Sequence, residues 1–374
     1  MLERLKCMRL AAKFCISFLV VLFLIPVVVY SEGLSQRGLF IWSLEDRPVL
    51  SSKSQIEDAV NFAKKHGVKI LFVQIYRANQ AWFPSKIADS TPYQICYKNI
   101  SQDPLELLIK KAHEKGIEVH AWINLLSLSA NKNAMILKKY GTSILTRNVQ
   151  KKKTLDDYKI DNQFFLEPSD FHVRQYSLNL IEEILKSYPD LDGIQFDYIR
   201  YPDVHPFYGY SPTNVKRFKK ATGLKSFTES SPQWKQWKRD QVTEFLQMLV
   251  KKVRFIRPNI HISTTGCLAY SRAYYEALQD WSTWINTGLI EFVTLMNYPP
   301  DAETYEKNIV DIKLHLKDLT KVNMAVGAYK EEQTLEAFKG QFDYCEKSAL
   351  RACVLFHYDS LIKKPDFQKE LDSH

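Results

Sequence analysis

Eight short apolar segments, separated by seven stretches of helical character, restrict what this chain can become more than any other feature of its sequence. The strand-like segments are Gly38–Trp42, Val68–Tyr76, Ile117–Asn124, Asp192–Asp197, Ile260–Thr265, Phe292–Tyr298, Val322–Tyr329 and Ala352–Tyr358. Helix-like stretches at Ser54–His66, Asp103–Lys115, Asp170–Tyr188, Pro232–Ile256, Trp281–Asn286, Ala302–Leu316 and Glu331–Leu350 separate them. Repeated alternation demands parallel pairing with right-handed crossovers, and eight units predict closure into an α/β fold of the (β/α)8 TIM-barrel type. A barrel of roughly 250 residues with insertions fits a chain of 374.

Local punctuation agrees with this register. Lys65-His66-Gly67 and Glu114-Lys115-Gly116 each end a helix in basic residues and Gly before a strand. Ser101-Gln102-Asp103-Pro104 suits a helix start, and Arg257-Pro258 stops the long fourth helix ahead of strand five. The extended loops fall after strands two, three and four, on the side where such barrels build their sites.

The first residues differ in kind. Arg4, Lys6, Arg9 and Lys13 precede the apolar run Phe14 to Tyr30, and Ser31-Glu32-Gly33 follows. Residues 1–31 read as a signal peptide, with an N-terminal membrane anchor through residues 14–30 as the alternative, ahead of one domain over 34–374. The expected location is therefore exported: periplasm, envelope or outside the cell. Cleavage would lower the net charge from +9 to +6, because four basic groups and one acidic group leave. Nucleic acid is an unsuitable partner behind an export signal. The mild positive charge, with its dense run at Lys151-Lys152-Lys153, suits anionic envelope polymers or lipid surfaces. Of the four later cysteines, Cys345 and Cys353 are close in sequence, and one or two disulfides or four buried thiols are equally open.

The chemistry concentrates at strand four, Leu191-Asp192-Gly193-Ile194-Gln195-Phe196-Asp197-Tyr198-Ile199-Arg200-Tyr201-Pro202. If Ile194 and Phe196 face the helices, Gln195 and Asp197 face inward. Strand three sets Glu118, His120, Trp122 and Asn124 against Val119, Ala121 and Ile123, strand five offers His261, Ser263 and Thr265, and strand two Gln74 and Tyr76. Aromatic residues crowd the same ends: Trp42, Tyr76, Trp82, Phe83, Trp122, Tyr198, Tyr201, Tyr298, Tyr329 and Tyr358. Such faces stack on sugar rings while polar neighbours bind hydroxyls, and the expected substrate-binding set adds Arg77, His120, Asn124, Gln195, Arg200, Asn297 and His357. Glycoside hydrolysis needs two carboxyl groups. Asp197 is the first, as nucleophile or base. Asp301 and Asp359, which follow strands six and eight, are the expected partners, with Glu45 and Asp46 after strand one as further candidates. Asp203 ranks lower because the Pro202 turn is expected to carry it toward solvent.

The strand-four run resembles the signature of the glycosyl-hydrolase-like family 10 proteins, exported bacterial (β/α)8 barrels. Arg37-Gly38-Leu39-Phe40-Ile41-Trp42, Val73-Gln74-Ile75-Tyr76-Arg77, His120-Ala121-Trp122-Ile123-Asn124 and Met296-Asn297-Tyr298-Pro299 match as well. The resemblance implies hydrolysis of O-glycosidic bonds in a bacterial envelope or extracellular polysaccharide, with the strand-four acid catalytic. Many relatives carry two adjacent acids there, whereas Tyr198 follows Asp197 in this chain, so the resemblance does not supply the second catalytic group.

Two other readings compete: a carbohydrate-binding barrel without catalysis, and a metal-dependent hydrolase using His120, His261, His357 and Asp197. No HxH or HExxH spacing supports the metal reading, so no metal ligand is assigned. No GxGxxG or P-loop run appears, so no organic cofactor is expected.

Overall fold

The computed structural model of the protein describes residues 35–44 and 46–372. Eight parallel strands form the sheet: β1 (Gln36–Ile41), β2 (Val68–Arg77), β3 (Glu118–Asn124), β4 (Gly193–Asp197), β5 (His261–Cys267), β6 (Phe292–Met296), β7 (Val322–Gly327) and β8 (Ala352–Phe356). β1 pairs with both β2 and β8, which closes the expected barrel. A two-residue strand, Gln80–Ala81, adds antiparallel to the end of β2.

The helices begin where the sequence offers caps. Ser52 accepts from Gln55 N ahead of Lys53–Lys65, Asp103 from Leu105 N and Glu106 N ahead of Pro104–His113, and Asp170 from His172 N and Val173 N ahead of Phe171–Ser187. Gly67 and Gly116 sit at φ +70° and +69° just beyond the first two of these helices, where the chain reverses into a strand. Three helices lie within the extended loops, Thr91–Ile100 after β2, Met135–Tyr140 after β3 and Pro212–Thr222 after β4, where the sequence pattern predicts only insertions. Thr91–Ile100 buries Cys96 and Ile100 in the main core, whereas Pro212–Thr222 places Phe218 in a small separate cluster.

Two apolar layers result. Phe40, Ile70, Phe72, Trp122, Phe292, Ala352 and Val354 fill the barrel, and a far larger cluster packs the outer strand faces against the helices. A Cβ on Gly193 would lie 2.1 Å from His120 Nδ1, so this strand position has room only for Gly.

Strand two departs from simple alternation. The β2–β3 register shifts between Gln74 and Tyr76, so Gln74 stays inside while Tyr76 joins the outer core. The apolar run over 14–30 and the leader reading of 1–31 lie outside the described residues, and among the described residues no helix is long and apolar enough to cross a membrane. Cys345 and Cys353 form a disulfide, whereas Cys96 and Cys267 are free and buried.

Candidate active site

The register fixes which side chains meet. Asn124 at the end of β3 stands opposite Asp197 at the end of β4, with Trp122 opposite Gln195 one level down and His120 opposite Gly193 at the floor. Asp197 is 5% exposed, and four donors converge on it. Trp122 Nε1 at 2.9 Å and Asn124 Nδ2 at 3.1 Å donate to Oδ2, while Tyr198 N at 2.7 Å and the Thr265 hydroxyl donate to Oδ1. Each is a bond to a carboxylate oxygen, the stronger class of hydrogen bond.

A directed relay stands behind one of those donors. Ser43 Oγ donates to Gln74 Oε1 at 2.7 Å, Gln74 Nε2 to Asn124 Oδ1 at 2.9 Å, and Asn124 Nδ2 to Asp197. Because Gln74 occupies the carbonyl of Asn124, the amide must turn its NH2 toward the acid. Gln195 lies beneath, accepting from Ser263 at 3.4 Å and Thr294 at 2.8 Å.

Just past Asp197 the backbone reverses through Tyr198, whose φ of +58° is the left-handed region that side chains rarely adopt. That conformation aims the Tyr198 N–H at the acid, and backbone strain of this kind concentrates at functional sites. The Arg200 guanidinium lies 4.8 Å from the Tyr198 ring centre and binds Asp203 Oδ1 at 2.6 Å. Arg272 holds the other Asp203 oxygen, and Cys267 Sγ is 3.9 Å from it. Burial opposes the charge on Arg200, but Cys267, Asp203, Tyr198 and Asp197 outweigh it and raise its pKa. Burial likewise works to raise the pKa of Asp203, and Arg200 and Arg272 reverse this, holding the carboxyl below the usual range.

Aromatic rings gather at the same strand ends as the acid. The Tyr298 and Tyr329 rings meet edge to face at 5.4 Å, and both contact Phe356. Trp42 carries the Arg77 guanidinium 5.2 Å from its centre and meets His357 edge-on. Burial raises the Tyr298 pKa, with Tyr329 and Asp197 adding to it, and burial lowers that of Arg77, with Tyr198 and Asp197 opposing. Aromatic faces around a fixed carboxylate at the strand exits form a surface suited to sugar rings.

The structure thus gathers Trp42, Arg77, Trp122, Asn124, Asp197, Tyr198, Arg200, Tyr298 and Tyr329, with Gln195 below. Of the other expected residues His357 stays at the rim against Trp42, and the rest point elsewhere. Tyr76 turns outward to Tyr176 Oη at 3.2 Å because of the register shift, and Trp82 is buried in the outer core. Tyr201 donates to Glu167, a buried acid whose pKa burial raises. His120 is fully buried at the barrel floor, 3.2 Å from Glu118 and stacked on His261. Asn297 bonds Tyr305 O and Asn308, away from the barrel axis. His357 lies beyond the end of β8, at the opposite end of the barrel from His120, so the three histidines of the metal reading do not converge.

The expected partner acids make local contacts. Asp301 caps Ala302–Ile312 through Thr304 N and Thr304 Oγ1, and Asp359 pairs with Lys363 at 2.7 Å. Asp46 also pairs with Lys363, and Glu45 lies outside the described residues. Asp203 folds back rather than outward, since two arginines draw it beside the site. Sequence reasoning left out Ser43 and Arg272, and it named Gln74 and Thr265 as inward polar positions without giving them a part in the site. Gln74 and Thr265 lie on the same inward lines as Asn124 and Asp197, which is a readable signal, whereas nothing local marks Arg272.

A family model described as glycosyl hydrolase-like 10 matches residues 35–335. The glycosyl hydrolase DigH of Escherichia coli K12 is 21% identical over 262 residues, which cover 65% of this chain and 57% of that relative. An S-layer-related protein of Niallia circulans is 27% identical over 195 residues, covering 47% of this chain and 12% of its own length. Among solved structures, the β-amylase catalytic domain of Paenibacillus polymyxa aligns with TM-score 0.61 and 9% identity over 90% of this chain and 98% of that one. The α-L-fucosidase isoenzyme 2 of Paenibacillus thiaminolyticus gives 0.62 and 13% over 91% and 48%. At such identities these structures establish a shared barrel fold and nothing finer.

Proposed function

The chain belongs to the glycosyl hydrolase-like 10 family, and from that premise we propose that it is an exported glycoside hydrolase acting on a bacterial envelope or extracellular polysaccharide. The observation that carries the reading is Asp197, fixed by four donors at the mouth of the barrel among Trp42, Tyr198, Tyr298 and Tyr329. Such a carboxylate serves as nucleophile, or as the base that activates water. Asp203 is proposed as the second carboxyl group in place of Asp301 and Asp359, because it shares Arg200 and Tyr198 as electrostatic neighbours with Asp197. Arg77, Trp42, Tyr298 and Tyr329 would line the sugar subsites. Export is supported by the basic and apolar leader and by the Cys345–Cys353 disulfide, a bond typical of oxidising compartments.

A second reading has its own observation. Two arginines hold Asp203 below the usual carboxylate range, which suits a base and disfavours protonation of a leaving oxygen. A barrel with no proton donor would bind glycan without cleaving it.

The test is reducing-end release from a panel of bacterial polysaccharides by the full chain, beside Asp197→Asn and Asp203→Asn. Release by the wild type, lost in both variants, supports hydrolysis by the pair. Equal release by Asp197→Asn removes that acid from the mechanism. Saturable binding without release by any form favours the silent barrel.

A further inference from the structure

The loops that leave β3 and β4 meet beside the helix Pro212–Thr222 and border two adjoining open recesses of about 520 Å³ each. Both include Val149 and Tyr210 in their walls, so they form one groove, and each falls within the roughly 300–1,000 Å³ typical of ligand sites. Its floor is built in advance. Tyr210 N donates to Arg147 O at 2.9 Å and Arg147 Nε to Tyr210 O at 3.1 Å, joining the two loops. Tyr210 stacks on Phe227 and packs against Trp234, part of a small apolar cluster separate from the barrel core.

The charge around the groove has one dominant sign. Arg147, Lys216 and Lys219 line the first cavity with no acid among them, and Lys235 faces Glu229 in the second. Lys216 and Lys219 stand three residues apart on one helix face, and Lys151-Lys152-Lys153 follows Val149 closely on the opposing loop. Between the cations, Val149 and Phe207 are 60% and 44% exposed.

We propose that this groove is a second glycan-binding site, distinct from the barrel mouth, and that it takes an acidic polysaccharide. Cations supply the partner for carboxylate groups along a polymer, and the apolar surfaces of Phe207, Phe227 and Val149 accept the C–H faces of its rings. A recess between two loops and a helix suits a chain of sugars better than a flat bilayer. The site lies on loops that leave β3 and β4 on the exit side, the same side of the barrel as Asp197. The proposal does not rest on hydrolysis, and a binding assay on a catalytically disabled chain reads it separately.

The experiment uses the full chain carrying Asp197→Asn, with polygalacturonate as the acidic probe, dextran as the neutral one, and phosphatidylglycerol vesicles as the lipid arm. Polygalacturonate is expected to bind in preference to dextran, with affinity falling as salt rises. Adding Lys216→Glu and Lys219→Glu is expected to weaken that binding at least tenfold and flatten its salt dependence, with an unchanged melting temperature because both side chains are exposed. Equal affinity with and without the charge reversals would overturn the proposal. So would equal binding to dextran, or binding confined to vesicles.

Discussion

Trp122 Nε1 reaches Asp197 Oδ2 at 2.9 Å although the two residues are not opposite each other in the sheet. Trp122 stands one level lower, against Gln195, and its indole spans the step while its ring packs edge-on against Phe40 at 4.8 Å. One side chain therefore fills the barrel and orients the acid. Trp122→Phe keeps most of the packing and removes the donor. A bond to a charged group contributes about 1.5–3 kcal/mol, so kcat is expected to fall about 10- to 100-fold. Steady-state kinetics check it, and a change confined to KM would show that the bond serves binding rather than the transition state.

Asp203→Asn addresses the pair behind the site. Removing one partner of a buried ion pair strands the other charge, here Arg200, which is 8% exposed. The loss is expected near the low end of the 3–5 kcal/mol range, about 3 kcal/mol, because Asp203 keeps a side-chain exposure of 19%. The pH dependence has a definite sign. The folded pKa of Asp203 lies below its unfolded value of about 3.9, so its contribution is present above that pH and disappears as pH falls through the folded pKa. Denaturation curves from pH 2 to 7 are expected to show a shallower acid limb in the variant. Parallel curves would mean that the arginines do not hold Asp203 ionised.

The barrel was legible because its signals are periodic and local: eight apolar segments, Gly after basic helix ends, and Asp103 and Asp170 as caps. Asp197, Asn124 and Trp122 were legible for the same reason, since alternation puts them on inward lines. Tyr76 was not, because a single register shift at the end of β2 exchanges inside for outside and leaves no mark in residue type. Asp203 was misplaced because the Pro202 turn says where the chain bends but not that Arg200 and Arg272 draw its carboxylate back. Asp301 and Asp359 follow strands as catalytic acids do, but residue type and position do not reveal that Asp301 caps the helix it opens or that Asp359 pairs with Lys363 one turn on.

The Cys345–Cys353 bond ties the helix Leu335–Glu346 to β8 across a separation of 8 residues, with both cysteines fully buried. Closing so short a loop restricts the unfolded chain by about 2–3 kcal/mol. Reduction is expected to lower the melting temperature by several degrees and to require partial opening first. Thermal melts with and without reductant, beside the paired Cys345→Ala and Cys353→Ala variant, check this. A wild type indifferent to reductant after full unfolding and refolding would show that the bond does not stabilise the fold.

Lys238 is completely buried in the helix Pro232–Ile256, and its Nζ donates to Pro206 O and, at 3.1 Å, to Tyr208 O. It thereby holds the segment that opens one wall of the basic groove. Burial lowers its pKa to about 7, with Glu167 and Glu229 opposing the shift and Lys235 and Arg239 adding to it. An unfolded lysine titrates near 10.4, so between about pH 7 and pH 10.4 the unfolded chain binds the extra proton and stability rises with pH. Below about pH 7 both states carry the charge and this contribution is flat. Lys238→Met removes the titration and leaves two carbonyls without their donor, so its stability at neutral pH reflects two opposing effects, whereas the slope with pH reflects one. Urea denaturation across pH 6–10 is therefore the informative measurement: the wild type is expected to gain stability relative to Lys238→Met as pH rises above 7. A difference that stays constant over that range would place the lysine proton in the folded and unfolded chains alike.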